Sequence, residues 1–164
     1  MTRRGLFQTL LGVGVVGAAA RLVGAGDTGG QASTSTFEIA MTDAEWQKRL
    51  TPAQFTVLRK HGTERAGSSP LDKEYSAGIY NCAGCELALF SSETKFDSGT
   101  GWPSFWAPLT NAVGTTTDRS FFMVRTEAHC ARCGGHLGHV FDDGPKPTGL
   151  RYCMNGVALT FRRA

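Results

Sequence analysis

Over most of its length the chain has no excess of charge of either sign. Its 17 Lys+Arg and 14 Asp+Glu give a formal +3, but Arg3, Arg4 and Arg21 lie in the first 26 residues, where no acid occurs. From residue 27 onward 14 basic residues face 14 acidic ones. That balance offers no electrostatic case for nucleic acid as a partner. Charged residues make up only 19% of the chain and hydrophobic residues 41%, so it can bury a sizeable core and global disorder is excluded. No apolar run is long enough for a conventional membrane span, because the stretch from Leu10 to Ala20 is diluted by glycine and cut by Arg21. Internal repeats are missing too, apart from two short Cys-x-x-Cys turns, and beyond Gly78 no helical period separates the apolar runs.

The basic surplus has a local explanation. Thr2-Arg3-Arg4-Gly5-Leu6-Phe7 precedes the apolar run and then Arg21 with small residues, a pattern that resembles a twin-arginine export signal. Residues 1–26 read as that signal, with Ala18-Ala19-Ala20 or Val23-Gly24-Ala25 as cleavage sites. An ordinary secretory signal or an uncleaved anchor is the alternative. The expected location is therefore extracytoplasmic, for instance periplasmic. Residues 27–36, rich in Gly, Ser and Thr, read as a linker, and 37–164 as one domain.

Within that domain, Thr42-Asp43-Ala44-Glu45 has capping-box spacing and predicts a short helix to about Leu50. Thr51-Pro52-Ala53-Gln54 repeats the device with proline at the first helical position, and Gly62 is the expected stop. Short apolar or aromatic runs follow, bounded by Gly, Asn, Asp and Pro: Glu86 to Phe90, Phe121 to Thr126, Leu137 to Phe141, Arg151 to Asn155 and Ala158 to Arg162. They predict antiparallel strands, giving a mainly β fold with a short helical N-terminal region.

Five cysteines divide as two pairs and one. Cys82-Ala83-Gly84-Cys85 and Cys130-Ala131-Arg132-Cys133, with 44 residues between them, match a four-thiolate zinc site. Structural disulfides stay open as an alternative, since an exported protein meets an oxidising compartment. A thioredoxin-like motif fits less well, because Gly134-Gly135 after Cys133 would not start a helix that lowers the thiol pKa. Cys153 is then the one thiol left for chemistry. On a strand, Arg151, Cys153 and Asn155 share a face, and a guanidinium beside a thiol favours the nucleophilic thiolate.

His136 and His139, with Asp143, form a second constellation. Strand residues three apart face opposite sides, so convergence of the two imidazoles requires a bulge or kink at Gly138. The third is Ser98-Gly99-Thr100-Gly101-Trp102-Pro103-Ser104-Phe105-Trp106, where glycines beside rigid aromatics suit either a small apolar pocket or a core.

Gly101-Trp102-Pro103-Ser104-Phe105, both Cys-x-x-Cys turns, the run from Cys130 to Pro145 and Arg151-Tyr152-Cys153-Met154-Asn155 together resemble the methionine-R-sulfoxide reductase family, the B-type reductases, from about Thr42 to Phe161. The resemblance implies two antiparallel sheets in a barrel-like arrangement and one structural zinc on Cys82, Cys85, Cys130 and Cys133. It implies catalysis by Cys153, with His139 and Asp143 protonating the departing oxygen, His136 orienting the site, and Arg151 and Asn155 stabilising charge. Trp102, helped by Phe105, would hold the substrate methyl group. The implied substrates are proteins or peptides containing methionine sulfoxide. The product at Cys153 would be a sulfenic acid. Many members carry a resolving cysteine before Gly-Trp-Pro, and here Thr100 stands there, so an external thiol donor such as thioredoxin would have to recycle the enzyme. Two other functions compete. An exported zinc hydrolase would use His136, His139 and Asp143, and a zinc-ribbon-like binding module would leave Cys153 and Trp102 without a role.

Overall fold

Each of the two helices begins in the way its threonine signals. In the computed structural model, which describes residues 37–120 and 123–164, helix α1 spans Asp43–Arg49 and α2 spans Pro52–Lys60. Thr42 accepts from the Glu45 amide while the Glu45 carboxylate accepts from the Thr42 amide at 2.7 Å. Thr51 and Gln54 make the same reciprocal pair. The stop of α2 differs from expectation by one residue. His61, not Gly62, takes the left-handed conformation at φ 54°, and the next amide, of Gly62, closes back on the Thr56 carbonyl. The expected export signal and linker lie outside the described residues.

The strands form two antiparallel sheets rather than one closed barrel. Strands β1 (Gly78–Cys82), β2 (Ala88–Ser91) and β9 (Leu159–Arg163) make a three-stranded sheet in the order β2-β1-β9. The second sheet runs β3-β4-β8-β7-β6-β5, from β3 (Lys95–Phe96), β4 (Ser104–Phe105), β5 (Val113–Asp118), β6 (Arg125–Cys130), β7 (His136–Phe141) and β8 (Arg151–Met154). The mainly β expectation is met. Strand β6 begins later than the apolar run Phe121 to Thr126 suggested. Among the described residues no helix is long and apolar enough to cross a membrane.

An aromatic cluster joins the sheets. Phe90 on β2 stacks on Phe105 of β4 with ring centroids 4.3 Å apart, Tyr80 of β1 meets Phe105 edge-on at 4.9 Å, and Phe161 of β9 flanks Tyr80. The buried Tyr80 hydroxyl donates to the Glu74 carbonyl at 2.6 Å, so the ring enters the core with no unpaired polar atom. Phe105, expected to help hold a substrate, is fully buried in this cluster. Phe105→Ala is expected to lower unfolding stability by about 3–5 kcal/mol through the cavity it leaves. An unchanged chemical-denaturation midpoint would contradict that packing.

Candidate active site

One cross-strand row positions the chemistry. Backbone register sets Ser104 opposite Cys153, Cys153 opposite His139, His139 opposite Glu127 and Glu127 opposite Thr116. Directly opposed residues keep their Cβ atoms roughly 4.5–5.5 Å apart, so thiol and imidazole are placed side by side by the ladder itself. Two residues along each strand the face continues with Asp118, Arg125, Phe141 and Arg151.

His136 joins this face through a bulge. The pairing of β6 with β7 shifts between Ala128 and His129, so that Leu137 is an extra residue between the His136 and Gly138 partners. The two imidazoles, which simple alternation would separate, lie with ring centroids 5.3 Å apart. Gly138 is required there. A Cβ on it would fall 2.1 Å from the Cys153 carbonyl oxygen, well inside contact distance. The convergence that the sequence demanded of a bend at this glycine is present.

The site opens on a cavity of about 170 Å³ lined by Thr63, Trp102, Arg125, Gly138, His139, Phe141, Cys153 and Asn155. The Trp102 indole N–H donates to the Glu64 carbonyl at 3.2 Å, and the Glu64 amide donates to Asn155 Oδ1 at 2.9 Å. Asn155 Nδ2 donates to the Leu137 carbonyl at 3.0 Å. The Asn155 amide is thus spent at both ends as a staple between the bulge and the segment that anchors Trp102. A larger groove of about 860 Å³ between α2 and β9 shares only Thr63 with the lining of this cavity.

Proton positions follow from the carboxylates. His139 Nε2 lies 2.9 Å from Asp118 Oδ2, and a carboxylate only accepts, so the Nε2–H donates and Nδ1 is left for proton exchange. Bonds from Ser120, together with those from His139 and Arg125, hold the Asp118 carboxyl far below its usual range. Asp143, expected to work with His139, instead takes the Arg151 guanidinium in a two-bond fork at 2.8 Å each. Asp118, Arg125 and Glu127 were not found from the sequence, and a charge on alternating positions of β5 and β6 is the signal that could have shown them.

Burial lowers the pKa of His139, although Asp118 works the other way, so the ring is neutral at rest. Burial also pushes the Cys153 thiol up, against the Thr100 hydroxyl, the Arg151 charge and Ser104, which favour the thiolate. The guanidinium therefore lowers the cost of ionisation without producing a resting thiolate. Thr100 Oγ1 lies 3.9 Å from Cys153 Sγ, and Ser98 links Thr100 to Ser104 through contacts of 2.8 and 2.7 Å.

The four remaining sulfurs converge apart from this row. Cys82 and Cys130 end β1 and β6, and in the matched turns that follow, the Glu86 amide donates to Cys82 and the Gly134 amide to Cys130. Both residues sit near φ +65°, Glu86 at 62° and Gly134 at 67°, and a Cβ on Gly134 would strike the Phe37 ring. All four cysteines are buried free thiols with sulfur atoms within 4.8 Å of one another. Cys82 and Cys133 sulfurs are 3.8 Å apart and those of Cys85 and Cys130 are 3.4 Å apart. A tetrahedral ion with metal–sulfur bonds near 2.3 Å needs edges of roughly 3.8 Å, so the residues present fit a metal. Such an ion would tie the two sheets together. Among the described residues His136, His139 and Asp143 do not converge as ligands, which removes the donor set of the hydrolase alternative. Cys82→Ser is expected to lose bound metal and thermal stability together, as measured by metal content and a melting scan on the same sample. Full stability without metal would contradict the cage.

Comparison with known proteins agrees with this geometry. Residues 50–163 match the SelR domain. A peptide methionine sulfoxide reductase MsrB of Leptospira interrogans is 51% identical over 77% of this chain and 98% of its own. One from Thiobacillus denitrificans is 55% identical over 73% of this chain and 92% of its own. The chloroplastic peptide methionine sulfoxide reductase B1 of Arabidopsis thaliana is 54% identical over 73% of this chain and 60% of its own. With the domain matched over most of its length, the chain belongs to the SelR-domain family of B-type methionine sulfoxide reductases.

Proposed function

We propose that this protein reduces the R epimer of methionine sulfoxide in oxidised proteins and peptides, with Cys153 as the nucleophile. The observation that carries the reading is the registered row Ser104, Cys153, His139, facing a small cavity that Trp102 helps to line. Relatives named as peptide methionine sulfoxide reductases support it, and neither the hydrolase nor the binding module accounts for that row.

The chemistry balances with one proton. Neutral His139 accepts the Cys153 proton at Nδ1 and passes it to the sulfoxide oxygen, while the thiolate attacks the substrate sulfur. Thr100, Ser104 and Arg151 stabilise the transient thiolate, and Asp118 steadies the imidazolium through Nε2. The sulfur–sulfur bond made in that attack and the substrate sulfur–oxygen bond both break as the hydroxyl moves to Cys153, leaving a sulfenic acid there and methionine as the product. Sulfur of Cys153 is oxidised by two electrons and the substrate reduced by two. Asp143 holds Arg151, and Trp102 offers its face to the methyl group.

Zinc is the ion we assign to the four cysteines, on the strength of an all-thiolate, closed donor set. When bound it supplies a structural tie and no chemistry at Cys153. With Thr100 in place of a thiol and four sulfurs held as ligands, two equivalents of an external thiol, such as thioredoxin-like proteins provide, reduce the sulfenic acid to thiol and water. The Arg3-Arg4 pair and the apolar run behind it support export, in which case the 37–164 domain acts on extracytoplasmic proteins.

Cys153→Ser is expected to abolish consumption of the R epimer in a dithiothreitol-driven assay while metal content stays intact, with the S epimer untouched by either protein. Residual turnover above background would remove Cys153 as nucleophile. Asp118→Asn is expected to lower kcat by about 10²-fold or more with little change in KM, the share typical of general acid–base catalysis. An unaltered kcat would show that His139 needs no carboxylate.

A further inference from the structure

The mechanism leaves a cluster beside the cavity unused. Glu127 Oε1 lies 2.7 Å from His136 Nδ1 and 3.0 Å from His61 Nδ1, so one carboxylate oxygen receives two imidazole N–H groups. The three donor atoms all lie within 4.8 Å of one another. Burial disfavours the charged form of Glu127, yet the bond from His136 and the charges of His61 and His136 outweigh it and bring the carboxyl down to about 2, leaving an anion. Its other oxygen accepts from the Thr116 hydroxyl at 3.0 Å, which fixes the carboxylate plane in the manner of a supported ligand.

The His136 side chain is only 2% exposed, and its Nε2 is buried without a partner. A buried ring with one nitrogen unpaired can move its proton to Nε2 and present a lone pair at Nδ1. His61 comes from the other side, at the left-handed residue that ends α2, with its side chain 64% exposed. The cluster borders an open cavity of about 410 Å³ that also reaches Asp118 and His139, with room for water to complete a coordination shell. Three cations line it: Arg125, paired with Asp118, Lys60, paired with Asp43, and Arg119.

We propose that His61, Glu127 and His136 form a second metal site, taking one divalent transition ion such as zinc and arresting turnover when filled. Two imidazoles and a carboxylate suit an ion of intermediate softness and reject magnesium, which prefers oxygen alone. An ion there takes the place of the two imidazole N–H contacts to Glu127, holds the His136 ring, and puts positive charge beside His139, whose ring centroid is 5.3 Å from that of His136. The cavity that would hold the ion shares Thr63, Arg125 and His139 with the cavity over Cys153, so an ion and its waters obstruct the approach to the thiol. The inhibitory half rests on the reductase reading, whereas ion binding does not.

The test uses the full chain with its four-cysteine site already filled. Zinc is titrated calorimetrically into this protein and into His61→Asn, which removes the imidazole but keeps a residue that tolerates the left-handed backbone. One further ion is expected to bind the parent, with affinity falling in the variant by more than the roughly 10–100-fold that losing an outer-shell partner costs. Methionine formed in a single turnover, without any thiol to chelate metal, should slow with added zinc in the parent and not in the variant, whose rate without zinc is unchanged. Equal second-ion binding by the two proteins, or none by the parent at millimolar zinc, would overturn the site. Loss of binding in the variant with zinc slowing neither protein would overturn the inhibitory half alone.

Discussion

The contact of Gly138 with the backbone of Cys153 is the constraint on which the rest of the site depends. Strands β7 and β8 can approach closely only where β7 has no side chain, and there the Leu137 bulge changes which face His136 occupies. Register places His139 opposite Cys153, and the bulge adds His136 to the same face. The freed Leu137 carbonyl accepts from the Asn155 amide and side chain, and Asn155 in turn holds the segment on which Trp102 leans. Cys153, His139 and Trp102, the proposed nucleophile, proton carrier and aromatic wall, are therefore coupled through one irregularity in one strand pair.

Charge on the working face is paired throughout. Asp118 serves Arg125 and His139, Glu127 serves His136 and His61, and Asp143 serves Arg151. Pairing lets a half-buried sheet carry so many ionisable groups without an uncompensated charge, which would be strongly destabilising. The consequence for Cys153 is a neutral thiol next to a neutral imidazole. That pair holds one transferable proton, which is what oxygen transfer to sulfur requires. Across the molecule, the aromatic cluster joins one sheet to the other, and a metal ion on the four cysteines would add a second tie.

The elements that could be read from the sequence were those whose signal is local. Thr42 with Glu45 and Thr51 with Gln54 announced both helices, and the paired cysteines announced the cage. Strand β6 was misplaced because Phe121-Phe122-Met123-Val124 is the apolar run, whereas Arg125–Cys130 turns Arg125, Glu127 and His129 toward one face. A strand whose inward face carries charged and imidazole side chains loses the apolar alternation that would reveal it. Strand β1 was missed for a related reason: its buried residues are Gly78, Tyr80 and Cys82, and Ile79 is the half-exposed one. The two-residue β3 and β4 are too short to show any period. Phe105 and Asn155 were placed near the chemistry by their motifs, and only packing and hydrogen bonding distinguish a wall from a staple.

The oxygen itself is the most direct witness. Protein with its cysteine cage filled is mixed with excess R-sulfoxide peptide and no thiol donor, and both methionine and the Cys153 peptide are quantified by mass spectrometry. Expected are one methionine per chain and one added oxygen on Cys153, trapped by a dimedone-type reagent. Oxygen on another residue, or a disulfide from Cys153 to Cys82, Cys85, Cys130 or Cys133, would contradict both the closed cage and the assignment of Cys153 as the lone working thiol.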